Sequence, residues 1–228
     1  MQVCLIKEGI DSGVKRLEEW LGENKTERVD LYAFGFAQKE VSYEKELKGE
    51  SDFFESVAQF SKKTGSVVVC GCITDTQGHK RCSAVVAENG RLLGVSDATR
   101  AVDDSLGVGA CLRVYETKKG KIGVVVNTDF YFQETLQTLV ACGADYIVCP
   151  FVGGDELIET LVKASAFFNG IPILFCGEKC WAVQSSGEVL AGGKEKMYAL
   201  SLCIGKEYHL IQTRKRGLCS CANKGNKQ

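Results

Sequence analysis

Cysteine is the residue type most able to do chemistry in this chain, with 12 cysteines against two histidines. A thiolate can act as a nucleophile, a metal ligand or a redox partner, and spacing decides among these roles. The closest spacings are Cys70-Gly71-Cys72, Cys176-Gly177-Glu178-Lys179-Cys180 and Cys219-Ser220-Cys221. No CxxC pair occurs, and neither His79 nor His209 stands at ligand spacing from any of these, so no metal and no cofactor is expected. As a nucleophile, Cys176 has the most suggestive neighbours, because Glu178 and Lys179 add a carboxylate and an ammonium within four residues. Alternation of strand side chains works against their convergence on one bound carbonyl. Cys149 closes the apolar run YIVC and Cys70 closes SVVVC, which makes both strand-end thiols as well. Otherwise the cysteines of apolar runs (Cys4, Cys70, Cys72, Cys111, Cys149, Cys176 and Cys203) are expected to pack as small hydrophobes in the core. Gly107-Val108-Gly109 is a GxG with neither a third glycine nor a following helix, and GxxxxGK[ST], GxSxG and HExxH are absent.

Composition narrows the classes further. The 228 residues are 45% hydrophobic and 25% charged with a formal net charge of −1, which suits a globular domain and gives no case for nucleic-acid or membrane-surface partners. No apolar run nears the ~20 residues that span a bilayer, and Met1–Lys7 has no signal-peptide core, so a cytoplasmic location is expected. Residues 1–212 read as one domain, and residues 213–228, rich in Lys and Arg, as a flexible basic tail.

The elements that must position any site follow from apolar periodicity. Strands are predicted at Val3–Ile6, Val29–Phe36 and Ser66–Cys72. A helix is carried by Ile10, Val14, Leu17 and Leu21, and a second by Phe53, Phe54, Val57 and Phe60 with Ser51 as its N-cap. Cys82–Ser96 reads as a hairpin turning at Asn89-Gly90, a type I′ signal. The order then repeats. Strands at Leu112–Tyr115 and Ile122–Val126 precede a helix over Phe132–Cys142, a strand at Tyr146–Cys149, and a helix from Leu157 to Asn169-Gly170. A strand at Ile171–Cys176, a hairpin at Trp181–Leu190 and a last strand at Met197–Ile204 complete it. The two hairpins align without gaps, VVAENGRLLG on AVQSSGEVLA. Two similar halves, each a sheet with helices on one face, pack best as a four-layer α-β-β-α sandwich of two mixed sheets.

Several segments, taken together in this order, resemble the nitrilase, or carbon–nitrogen hydrolase, superfamily. Lys121–Asp129 (KIGVVVNTD) is similar to that family's KIGVxICYD, with Phe132-Gln133-Glu134 following where FPE often stands. Gly143–Pro150 (GADYIVCP) is similar to GADIIxxP, Arg81–Val86 with Asn89-Gly90 to YNSAxVIxPxG, Val29–Phe34 to the strand leading into FPE, and Ser186–Leu190 to DGEVL. The resemblance spans Met1 to about Ile204 and implies hydrolysis of non-peptide amides or nitriles by a Glu–Lys–Cys triad. In that chemistry a carboxylate takes the thiol proton, the thiolate attacks, and an ammonium holds the oxyanion.

Carried onto this sequence, the base position reads Phe36, the lysine position Ala98 (Arg100 if a local gap is allowed) and the nucleophile position Asn127. None can perform its role, so the resemblance implies a catalytically degenerate member: a small-molecule-binding or regulatory protein with a pocket near Phe36, Ala98, Asn127, Thr128, Asp129, Cys149 and Cys176. Asp129 matches the family's aspartate and is expected to cap the following helix. Two alternatives stand beside this. One is a divergent amidohydrolase using Cys176 or Cys149 as a relocated nucleophile. The other is a ligand-free scaffold whose pocket Phe36 fills. The family tendency implies a homodimer.

Overall fold

The computed structural model describes residues 1–11, 28–100, 105–154 and 156–205. The helix expected over Ile10–Leu21 lies, past Asp11, outside the described residues, as do Cys219, Cys221 and the basic tail.

The described chain builds two six-stranded mixed sheets. In the first half, β1 (Gln2–Ile6), β2 (Leu31–Ser42) and β3 (Val67–Thr76) run parallel, and β4 (His79–Glu88) and β5 (Arg91–Asp97) return antiparallel. In the second, β7 (Gly120–Val124), β8 (Tyr146–Pro150) and β9 (Ile173–Cys176) are parallel, and β10 (Cys180–Val183) and β11 (Val189–Gly193) return antiparallel. The repeat seen in the sequence is therefore a repeat of topology. Each half gains one antiparallel edge strand. β6 (Val114–Thr117) pairs with β7, and β12 (Met197–Ser201) crosses back to pair with β1 in the first sheet.

Three apolar layers hold the sandwich. Val3, Leu31, Ala33, Val69 and Ala84 of the first sheet meet Ile122, Val124, Val148 and Leu174 of the second in the central core. The opposite face of the first sheet, including Tyr32, Phe34, Cys70 and Val85, packs on Val57 and Phe60 of the helix Phe53–Thr64. The outer face of the second sheet packs on the helices Gln133–Ala141 and Ile158–Asn169 through Leu136, Leu139, Ile158, Val162 and Ala166. In chain order the helices are α1 (Tyr43–Lys48), α2 (Phe53–Thr64), α3 (Gln133–Ala141) and α4 (Ile158–Asn169). β8 and the first half of β3, residues 67–72, are buried along their whole length, which is why their sequences are unbroken apolar runs rather than alternating ones.

Local punctuation follows the residue types. Asn89 (φ 51°) and Gly90 (φ 79°) both take positive φ, as a type I′ hairpin demands. The N-cap of α2 is Asp52 and not Ser51, and it makes no side-chain cap bond. The first N–H groups of α2 are instead satisfied by the carboxylate of Glu46, which accepts from Phe53 N at 2.9 Å and Phe54 N at 3.1 Å. Cys4, Cys70, Cys72, Cys149 and Cys176 are buried as expected, with Cys82 and Cys180 also buried. Cys111 and Cys203 are exposed, contrary to the core role expected of them, because both fall in irregular segments just outside the strands that their apolar neighbours predict.

Candidate functional site

The second half places Asn127 immediately after the buried run ending in Val126, at the first residue of a 3-10 turn, Asn127–Tyr131. Its φ is +49°, in the left-handed region that asparagine tolerates better than most residues. The strained elbow delivers the side chain to the C-terminal end of β7, facing the first sheet. There the amide is held at both ends: Oδ1 accepts from Val152 N at 3.1 Å, and Nδ2 points to Cys82 Sγ at 3.4 Å.

Cys82 also locates Ala98, whose N–H donates to the Cys82 carbonyl at 2.8 Å. Ala98 and Cys82 are buried in the central core beside Val126. Phe36 reaches the same core from β2, at a register shift where it pairs with Gly71 of β3. Its half-buried ring lies on the Gly71 backbone so closely that a Cβ there would come within 2.5 Å of Cδ2. The three positions that the sequence singles out thus lie midway along β2, at a register shift, and just beyond the ends of β5 and β7, on the faces of the two sheets that meet.

Asp129 ties two of those strand ends together. It is buried, and its carboxylate accepts from Thr99 N (2.7 Å) and Thr99 Oγ1 (2.9 Å) on Oδ2 and from Arg100 N (2.9 Å) on Oδ1. Thr128 Oγ1 adds a bond to the Arg100 carbonyl at 3.3 Å. Asp129 therefore clamps the segment after β5 to the elbow, and the helix-capping role expected of it is corrected. Burial pushes its carboxyl above the usual range even though the three hydrogen bonds and Arg100 pull it down. Arg100 itself points elsewhere: its guanidinium lies 2.6 Å from Glu134 and 4.0 Å over the Phe132 ring.

The remaining thiols differ sharply in setting. Cys149 packs in the outer layer with Val125, Phe151 and Phe175, facing away from Asn127. Cys176 faces the central core, its sulfur 3.4 Å from the Ala33 carbonyl and directly across the strand pair from Cys180. Burial holds both thiols well above their ordinary range, so both are neutral. Glu178 is exposed in the turn, so the carboxylate and the thiol of the Cys176–Glu178–Lys179 run are not brought together. Cys82 is the sulfur beside Asn127 that sequence reasoning passed over. Alternation along β4 puts it on the face of Ala84 and Val86, the signal that could have found it. Burial raises its thiol, the Asn127 amide partly offsets that, and the Asp129 charge adds to the rise.

Among the described residues no group of three or more His, Cys, Asp or Glu side chains is arranged to hold a metal ion. The Gly107-Val108-Gly109 segment packs by its backbone, Gly107 N donating to the Lys80 carbonyl and Gly109 N to the Ala98 carbonyl.

The family model of the carbon–nitrogen hydrolases matches residues 30–212. Among solved structures, an amidase of the nitrilase superfamily from Nesterenkonia AN1 superposes with a TM-score of 0.75 at 15% identity, over 96% of each chain. Nit3 of Saccharomyces cerevisiae, from branch 10 of that superfamily, gives 0.75 at 14% over 99% of this chain and 97% of its own. A carbon–nitrogen hydrolase from Helicobacter pylori G27 gives 0.73 at 19% over 95% and 92%. A search of curated proteins finds no match.

Proposed function

The chain belongs to the carbon–nitrogen hydrolase family, and from that premise we propose that it is a non-catalytic member that uses the family's site to bind a small neutral molecule. The observation that carries the proposal is Asn127. An amide nitrogen stands where the nucleophile belongs, and both ends of that amide are already engaged, by Val152 N and Cys82 Sγ. Phe36 in the base position cannot accept a proton, and Ala98 in the lysine position cannot hold an oxyanion. Loss of a nucleophile alone costs about 10⁶ in turnover for a triad enzyme, and members acting as a unit fail together.

A half-buried phenyl ring, a partly exposed amide and a methyl group favour an uncharged ligand over an amide-acid substrate. The ligand-free alternative, in which Phe36 fills the site, shares the same loss of chemistry. The relocated-nucleophile alternative gains little support. Cys149 and Cys176 are sealed and neutral, and both oxygens of Asp129, the carboxylate near Cys82, are already hydrogen-bonded.

The test is ammonia release across a panel of small amides and nitriles, paired with thermal shift against neutral amides. No turnover, with stabilisation by at least one neutral compound that Asn127→Ala abolishes, is the expected result. Turnover that disappears on substitution of Cys82, Cys149 or Cys176 would overturn the proposal.

We further propose a homodimer. Leu157, the N-cap of α4, and Phe168 near its other end stand eleven residues apart at helical spacing, and they are 65% and 53% exposed. The cytoplasm is the compartment we propose. All ten described cysteines are free thiols, which suits a reducing environment, and no described helix is long and apolar enough to cross a membrane.

A further inference from the structure

Among the described residues, one position in the registers of the two sheets sets cysteine directly against cysteine. Cys176, the last residue of β9, faces Cys180, the first of β10, across a turn of Gly177, Glu178 and Lys179. The neighbouring strand fixes the kind of pairing. The Cys176 carbonyl is turned toward β8, where it accepts from Phe151 N at 2.8 Å. The N–H and C=O of a strand residue point the same way, so Cys176 offers neither to β10, and its pair with Cys180 is of the non-hydrogen-bonded kind. Facing Cα atoms in such a pair lie about 4.5 Å apart, inside the range of about 4.4–6.8 Å that a disulfide spans. Both side chains enter the central core, and the two thiols share a hydrogen bond. A bond between these sulfurs therefore needs no movement of the strands. Other buried thiols lack a facing partner: Cys4 is opposite Ala199 and Tyr32, Cys72 opposite Ser83, and Cys149 opposite Phe175.

The same hairpin grips the wall of the Asn127 site. Besides the bond from Phe151 N, Glu178 N donates to the Gly153 carbonyl at 3.1 Å. Between them, Val152 N holds the Asn127 amide at 3.1 Å. Glu178 is exposed at the tip of the turn while both cysteines are sealed beneath it, so local opening of the turn is what admits an oxidant.

We propose that Cys176 and Cys180 are a redox-sensitive pair that hydrogen peroxide closes into a disulfide, and that the closed pair latches residues 151–153 against the Asn127 elbow. One thiol, bared when the turn opens, loses its proton, and the thiolate attacks a peroxide oxygen. The O–O bond breaks, leaving a sulfenic acid and one water. The second thiol gives up its proton, attacks that sulfur and displaces the hydroxyl as a second water. Two electrons pass from the sulfurs to the peroxide, and a thiol reductant reverses the change.

The test treats the full chain with hydrogen peroxide under native conditions, alkylates it in denaturant and digests it with trypsin. Trypsin cuts after Lys179, so a Cys176–Cys180 bridge leaves two peptides joined until dithiothreitol separates them. The joined pair is expected as the main internal link, formed more slowly than oxidation of the exposed Cys111, Cys142 and Cys203. Closing so short a loop should raise the melting temperature by roughly 4–8 °C in a domain of this size, reversibly with dithiothreitol. Hydrogen exchange at the Phe151 and Glu178 amides should slow at least about fivefold. Cys180→Ala should abolish the joined peptides and both shifts, and the wild-type map decides by itself if that variant does not fold. Free Cys176 and Cys180 after the exposed cysteines are oxidised would overturn the proposal. So would links from Cys176 to other cysteines in comparable yield, a bridge formed only in denaturant, a lowered melting temperature, or unchanged exchange at Phe151. None of these readouts needs a ligand, so the function proposed above can fail while this pair stands.

Discussion

Phe36 fills the space beside Gly71 only if its phenyl ring lies on that backbone, and a double-mutant cycle tests the contact. In Gly71→Ala the new Cβ would stand 2.5 Å from Phe36 Cδ2 and 2.8 Å from both Cε2 and Cγ. Carbon atoms rest at about 3.5–4.0 Å, so the ring or the strand must give by roughly 1 Å. Overpacking of this kind costs about 1–3 kcal/mol. Phe36→Ala removes a half-buried ring, and the 3–5 kcal/mol typical of a buried phenylalanine falls to about 2 kcal/mol here. If the ring is the obstacle, the alanine at 71 meets nothing once the ring is gone. It should then be neutral or slightly stabilising, because glycine within a strand is itself unfavourable by about 0.5–1 kcal/mol. The double variant is therefore expected to be no less stable than Phe36→Ala alone, a coupling of about 1–3 kcal/mol. Urea unfolding of the four proteins measures it, with each kcal/mol also moving the melting temperature by about 2–4 °C in a domain of this size. Costs that add to within ~0.5 kcal/mol would show that Phe36 does not lie on Gly71 and that its ring does not fill this part of the central core.

Asp129→Ala strands Thr99 N, Thr99 Oγ1 and Arg100 N and should cost about 3 kcal/mol in chemical unfolding, given the worth of bonds to a charged group. The folded carboxyl of Asp129 lies above its ordinary 3.8, so the native state binds the extra proton. The stability of the wild type relative to Asp129→Asn should be greatest below about pH 4 and decline as pH rises through the folded value; a flat difference would contradict the burial argument. Under native conditions a thiol alkylating reagent with peptide-level mass readout should label Cys111, Cys142 and Cys203 at least tenfold faster than Cys70, Cys149 and Cys176, with all levelling in denaturant. If the proposed homodimer forms through α4, Phe168→Glu with Leu157→Glu should halve the mass seen by light scattering, and an unchanged mass would remove α4 as the contact.

The local parts of this fold were legible because their causes are local. Asn89-Gly90 states its turn outright, and Gly65 and Gly170 end α2 and α4 in the left-handed conformation that glycine favours. What escaped depends on residues far apart in the chain. Nothing in MYALS says that it pairs with QVCLI in the other sheet, since strand periodicity names a face and not a neighbour. Ser51 looked like the cap of α2 because caps are sought next to the helix, whereas Glu46 supplies it from the preceding one. The site divided the same way. Motif order singled out Phe36, Ala98 and Asn127 as positions to inspect, but the clamp by Asp129 on Thr99 and the sulfur of Cys82 against Asn127 follow from register, which a sequence does not print.

The crossing of β12 back to β1 bears on how the molecule is made. Met1 and Leu202 exchange hydrogen bonds, Met1 N to the Leu202 carbonyl at 2.9 Å and Leu202 N to the Met1 carbonyl at 2.8 Å, across 201 positions of chain. A ribosome releases β1 about 200 residues before β12, at roughly 5–20 residues per second. For most of that interval one edge of the first sheet stands bare, a row of open donors and acceptors available to any passing strand. Closure of so long a loop is slow and late, so the first sheet is finished only after the second has been delivered whole. Until β12 arrives, the nascent chain thus offers β1 as a strand edge open to association with other chains.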